Sequence, residues 1–184
     1  ASSCPKQAVS LYETQRAKKT LTVDQHRAVQ AAVPAYLTVK SNANTIGCTQ
    51  EGCAALSEFL NVWVGEIKLS MLGPHGANGT ASALVYMNPR VILHMFELLG
   101  QKDWDQLKIW TDKIALLDDK GLAPFTAKGF VDAAYDHMQG AVAGFLKMHP
   151  RTRGPYLSAT HADISELRSW LEKNLPEFLD LQGA

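Results

Sequence analysis

Hydrophobic positions in the first half of the chain fall in short runs separated by longer mixed stretches. Residues 7–13, 36–41, 61–65 and 80–86 are each short, apolar and partly β-branched, which predicts four buried strands. Helical periodicity fills two of the gaps. Thr22 is a plausible N-cap for a helix carrying Val23, Ala28, Val29, Ala31 and Ala32, which Pro34 stops. A second helix is expected from about Thr49 to Leu60, with Ala54, Leu56 and Phe59 toward the core. Gly73 to Gly79 holds four Gly or Pro breakers and reads as a loop. Strands alternating with helices point to βα units and a parallel sheet. The right-handed crossover rule then favours a barrel or a doubly wound sheet.

From Asn88 onward the pattern is helical. Asn88-Pro89 is an N-cap followed by proline at N1, opening a helix through Val91, Ile92, Met95, Leu98 and Leu99 to Gly100. A second helix begins near Asp103, with Trp104, Leu107, Trp110, Ile114 and Leu117 as its apolar stripe. Ile109 and Leu116 fall off that stripe, which predicts cover on more than one side. A third helix is expected over about 126–148. A fourth opens at Thr160 to Asp163 and ends near Leu181.

Composition narrows the function. Lys plus Arg and Asp plus Glu each total 18, giving zero net charge, so neither nucleic acid nor an anionic membrane is expected as a partner. The broken basic run Arg16 to Lys19 reads as a solvated loop. Cys4, Cys48 and Cys53 form neither a disulfide framework nor a CxxC pair, and the six histidines form no HExxH, so no metal is expected. Reduced thiols make a cytoplasmic protein the default. No apolar run is long enough to span a bilayer.

Lys40 sits at the carboxyl end of the strand expected over 36–41, after Tyr36-Leu-Thr-Val39. At the carboxyl edge of a parallel sheet a lysine is partly desolvated, which frees its amine to attack a carbonyl. A lysine snorkelling to water at a strand end is the ordinary alternative. Tyr12 ends the preceding strand on the same edge, either as a proton shuttle or as a tyrosine at the core rim. Gly65 and Gly79 let backbone approach a ligand or simply serve turns. Ser82 is free to bond a substrate or its own sheet.

Together these residues resemble the dihydrodipicolinate synthase/N-acetylneuraminate lyase family. Tyr12 and Lys40 stand 28 residues apart (positions 12 and 40), the gap between that family's tyrosine and its imine-forming lysine. Pro34 to Lys40, Val62 to Glu66 and Gly76 to Pro89 are similar to its lysine strand, its Gly-Asp strand and its last barrel strand. The resemblance spans nearly the whole chain. It implies an α/β fold of TIM-barrel type: residues 1–87 as the carboxyl-terminal half, about four βα units, and residues 88–184 as the last barrel helix and a helical tail.

The activity so implied is a Schiff-base aldolase, lyase or dehydratase acting on a pyruvate-type 2-oxo acid. Lys40 would be the nucleophile and Tyr12 the proton relay. Gly65 and Ala81 would line the pocket with backbone, and Glu66 or Ser82 would touch the distal substrate. The imine is itself the electron sink, so no cofactor is expected. Where the synthases carry an arginine after the tyrosine, this chain has Ala17, flanked by Arg16 and Lys18 as substitutes; Gln15 stands for a common proline. The family's early Gly-Thr-Thr-Gly-Glu loop and first four strands have no counterpart in this sequence. A homo-oligomer or a complementary half-barrel chain is therefore the expected partner. An inactive half-barrel serving as an oligomerisation or binding module is the alternative.

Overall fold

The computed structural model describes residues 49–58 and 61–181. The strands expected at 7–13 and 36–41, the helix expected from Thr22, and Tyr12, Arg16 and Lys40 lie outside those residues. The described part is mostly helical around a two-stranded parallel sheet. Its helices are α1 (Gln50–Ser57), α2 (Leu69–Leu72), α3 (Leu84–Met87), α4 (Pro89–Gln101), α5 (Trp104–Leu116), α6 (Ala123–Ala127), α7 (Asp132–Val142) and α8 (His161–Asn174). Strand β1 is Val62–Val64 and β2 is Ala77–Thr80.

Strand β1 falls where the apolar run places it, with Val62 and Val64 buried and Trp63 turned outward. Its partner does not. The fourth strand was expected at 80–86, but β2 occupies 77–80 and Leu84–Met87 is helical. Two local bonds explain the shift. Gly76 adopts φ +98° and closes a 3-10 turn over Gly73–His75, its N–H donating to Gly73 O at 3.0 Å, so the chain leaves that turn already extended. Downstream, Ser82 Oγ accepts from Leu84 N at 3.2 Å and bends the chain into α3 before the β-branched signal of Val85 can act.

The two strands pair Val62 with Ala77, Trp63 with Gly79 and Val64 with Thr80. Asn78 is thus the extra residue of a bulge, and its Nδ2 donates to Asn61 Oδ1 at 2.8 Å. Gly79 fits beneath Trp63, where a Cβ would come 2.7 Å from the indole nitrogen. Because the strands are parallel, Gly65-Glu66 and Ala81-Ser82 leave the sheet at the same carboxyl edge.

The helices form the other layer. Asn88 caps α4 by accepting from Arg90 N, and its Nδ2 donates to Glu177 O at 3.3 Å and Asp180 O at 2.8 Å. The start of α4 is thereby tied to the 3-10 turn Pro176–Phe178. Asp103 caps α5, which buries Leu107, Thr111 and Ile114. Its off-stripe residues Ile109 and Leu116 are exposed, against the expected second covered side. Leu117–Leu122 continues α5 as a π-helical turn. The long helix expected over 126–148 is instead α6 and α7. Gly129 at φ +85° separates them, with Phe130 N donating to Phe125 O as in a glycine-terminated helix end. Helix α8 opens with a capping box between Thr160 and Asp163 and ends at Asn174, earlier than expected. Phe125 and Phe178 are fully enclosed, each contributing about 1.5–3 kcal/mol of burial.

Candidate functional site

A cavity of about 270 Å³ lies where the carboxyl edge of the sheet meets the helical layer. The turn after β1 contributes Glu66, and the segment after β2 contributes Ala83 and Leu84. Across from them, α5 and its π-helical extension present Ile114, Asp118 and Leu122. The third wall is Thr126 of α6 with Asp132, Tyr135 and Gln139 of α7. Spacing explains why these side chains converge. Ile114, Asp118 and Leu122 recur every four residues, while Asp132, Tyr135 and Gln139 stand at i, i+3 and i+7 of one helix.

Three carboxylates, Glu66, Asp118 and Asp132, therefore share one cavity. Loss of water around the Asp118 carboxyl raises its pKa from 3.8 to about 6, with the charges of Glu66 and then Asp119 adding to the effect. Asp118 is exposed on its outer side, so it sits at the rim rather than on the floor. The carboxyl of Asp136, one turn along α7, is also pushed upward, by burial first and by Asp132 second, against a smaller opposing influence of His137.

The floor is different. Gln139 is 5% exposed, and its Oε1 has no hydrogen-bond partner. Thr126 Oγ1 and the Tyr135 hydroxyl share one hydrogen bond at 2.6 Å. Thr80 Oγ1, at the end of β2, is a second buried oxygen without a partner. The arrangement can accept hydrogen bonds, hold positive charge, and exchange a proton at Asp118 close to neutral pH.

Of the residues proposed from sequence, Glu66 is half-buried and lines this cavity. Gly65 and Ala81 are exposed at the ends of the two strands, and Gly65 O accepts from Lys68 N at 2.9 Å. Ser82 uses its hydroxyl to hold Leu84 N. Lys40, Tyr12 and Arg16 lie outside the described residues. Sequence reasoning missed Asp118, Asp132, Tyr135 and Gln139. The i, i+3, i+7 spacing of the last three was readable, but it marks a common face without showing what that face meets.

A larger hollow of about 710 Å³ opens at the other end of β2, beside Gly76, Ala77 and Trp104. Its walls are chiefly backbone and apolar side chains, with Lys102 as the charged group, and it offers no cluster of reactive groups. Among the described residues no three His, Cys, Asp or Glu side chains stand close enough to hold a metal ion. No described helix is long and apolar enough to cross a membrane. Compared with family models, curated proteins and solved structures, the chain matches none.

Proposed function

We propose that this chain contributes the carboxyl-terminal four βα units and helical tail of a TIM-type barrel that acts as an imine-forming lyase on a pyruvate-type 2-oxo acid. The observation that carries the reading is the parallel pairing of β1 with β2. It supports an active site at the sheet's carboxyl edge, because Gly65-Glu66 and Ala81-Ser82 both emerge there, beside a cavity that Glu66 lines. The sequence supplies the chemistry through the spacing of Tyr12 and Lys40.

In this reading the Lys40 amine attacks C2 of the oxo acid. Tyr12 relays protons as the carbinolamine loses water to give the imine. The C4 hydroxyl of the substrate then gives up its proton and becomes an aldehyde as the C3–C4 bond breaks, the electron pair of that bond passing into the protonated imine to leave an enamine. Protonation at C3 and hydrolysis release pyruvate and free Lys40. Glu66 or Ser82 contacts the distal part of the substrate, and Arg16 its charged end. A cytoplasmic homo-oligomer, or a pairing with a complementary half-barrel chain, would complete the sheet.

The enamine gives a direct test. Pyruvate incubated with the full chain in deuterated buffer should lose its methyl proton signal by exchange at C3, and Lys40→Ala should abolish that exchange. Undiminished exchange in the variant, or none with the unaltered chain, overturns the proposal; the second result is that expected of a non-catalytic binding module.

A further inference from the structure

We propose that the cavity between the sheet edge and α5–α7 is a binding site for a small organic cation bearing N–H donors, such as a primary alkylammonium or a guanidinium. The inference goes beyond the imine chemistry and does not require Lys40.

Two independent features point to such a ligand. First, Glu66, Asp118 and Asp132 face one space, and among the described residues lining it there is no Lys, Arg or His to balance them. Second, the amide oxygen of Gln139 is buried and unpartnered. Leaving such an acceptor without a donor costs about 1–3 kcal/mol, a cost a bound donor would remove. The neighbouring hydroxyls do not remove it: Thr126 and Tyr135 bond each other, and neither is paired with Gln139 Oε1.

Geometry selects the class of cation. Calcium or magnesium draws its oxygens to within about 2.0–2.6 Å of one point. The acidic groups of this cavity are too dispersed for that. An ammonium or guanidinium group on a short apolar stem suits the space better. Its N–H donors point in separate directions, toward Gln139 Oε1 and the rim carboxylates, while the stem lies against Ile114, Leu122 and the Tyr135 ring. The volume of about 270 Å³ is close to the lower end of ligand pockets, roughly 300 Å³, so a ligand of few heavy atoms is expected.

The test uses the full chain, isotopically labelled, titrated with n-propylammonium chloride while side-chain amide signals are followed by NMR. Saturable binding with a shift of the Gln139 amide is expected. Tetramethylammonium, which has the charge without the donors, and n-propanol, which has a donor without the charge, should each bind at least about tenfold more weakly. Gln139→Met keeps the side-chain length and removes the acceptor, and Asp118→Asn changes only the exposed rim; each should weaken n-propylammonium by about tenfold or more. Lys40→Ala should bind it unchanged, which separates this site from the imine reading. Absence of saturable binding overturns the proposal. So does equal affinity for tetramethylammonium, or binding that both cavity variants leave intact.

Discussion

Glu66 and Asp118 reach one cavity from opposite layers of the fold, and the charge of the first helps hold the proton on the second. Burial is the larger cause of the raised Asp118 pKa and Glu66 the next. Glu66→Gln should therefore lower the Asp118 midpoint from about 6 while leaving it above 3.8. A carbon-detected NMR titration of the side-chain carboxyls reads this directly. A midpoint unmoved by the substitution would mean that the two groups do not sense each other.

The same carboxyl sets a pH dependence of stability. Its folded pKa is raised, so between 3.8 and about 6 the folded chain binds more proton than the unfolded one, and stability falls as pH rises through that window. The unscreened shift corresponds to about 3 kcal/mol, which solvent at the exposed rim reduces to about 1 kcal/mol. Asp118→Asn should stabilise the chain by about that amount at pH 7 and flatten this part of the profile. Urea unfolding across the window checks it.

Asp163 behaves in the opposite sense. Burial alone would raise its carboxyl, but the Lys128 ammonium at 2.8 Å and the Thr160 hydroxyl and N–H outweigh burial and hold it at about 2. Lys128 is itself shifted upward by Asp163 and then Glu166. Since the folded Asp163 pKa is depressed, its contribution is complete above about 4 and is lost as pH falls toward 2. Asp163→Ala should cost about 1–2 kcal/mol at neutral pH, through the lost cap and ion pair, and should remove that acid-sensitive component. Unfolding midpoints at neutral and acid pH give the comparison.

Gly76 holds the entry to β2. At φ +98°, a Cβ there would also come 2.3 Å from the Cβ of Ser57 at the end of α1. Gly76→Ala should destabilise by more than the roughly 1 kcal/mol of a simple left-handed site, and Ser57→Gly should recover part of the loss. Full recovery by the second change would assign the cost to the clash alone.

Asn88 joins two distant segments of the chain with one side chain. Asn88→Ala removes the cap of α4 and the donor to Glu177 O and Asp180 O, and should cost about 2 kcal/mol. Asn88→Ser, which keeps a cap but cannot reach both carbonyls, should fall between. Amide exchange at the Pro176–Phe178 turn should rise in both variants.

What the sequence made legible was governed by nearest neighbours. Asn88-Pro89, Asp103 and Thr160 carry capping chemistry within a few residues, and each starts its helix as read. Val62–Val64 is short and alternately buried, and it is a strand. The reading slipped where a local hydrogen bond overrode side-chain preference. Ser82 turned a β-branched segment into α3, Gly76 released β2 early, and Gly129 divided a helix that periodicity left whole. The acidic cavity was illegible for another reason. Glu66 was singled out through the resemblance of Val62 to Glu66 to a family strand, but Asp118 and Gln139 matter only because α5 and α7 fold against that turn. Such convergence over more than 50 positions is set by tertiary packing, and no local pattern encodes it.

The imine itself is the most direct point of test. Borohydride added to the full chain in the presence of pyruvate, followed by digestion and mass spectrometry, should leave a reduced pyruvate adduct on the peptide containing Lys40, with no adduct in Lys40→Ala. An unmodified Lys40, or label spread evenly over the exposed lysines, would contradict the account.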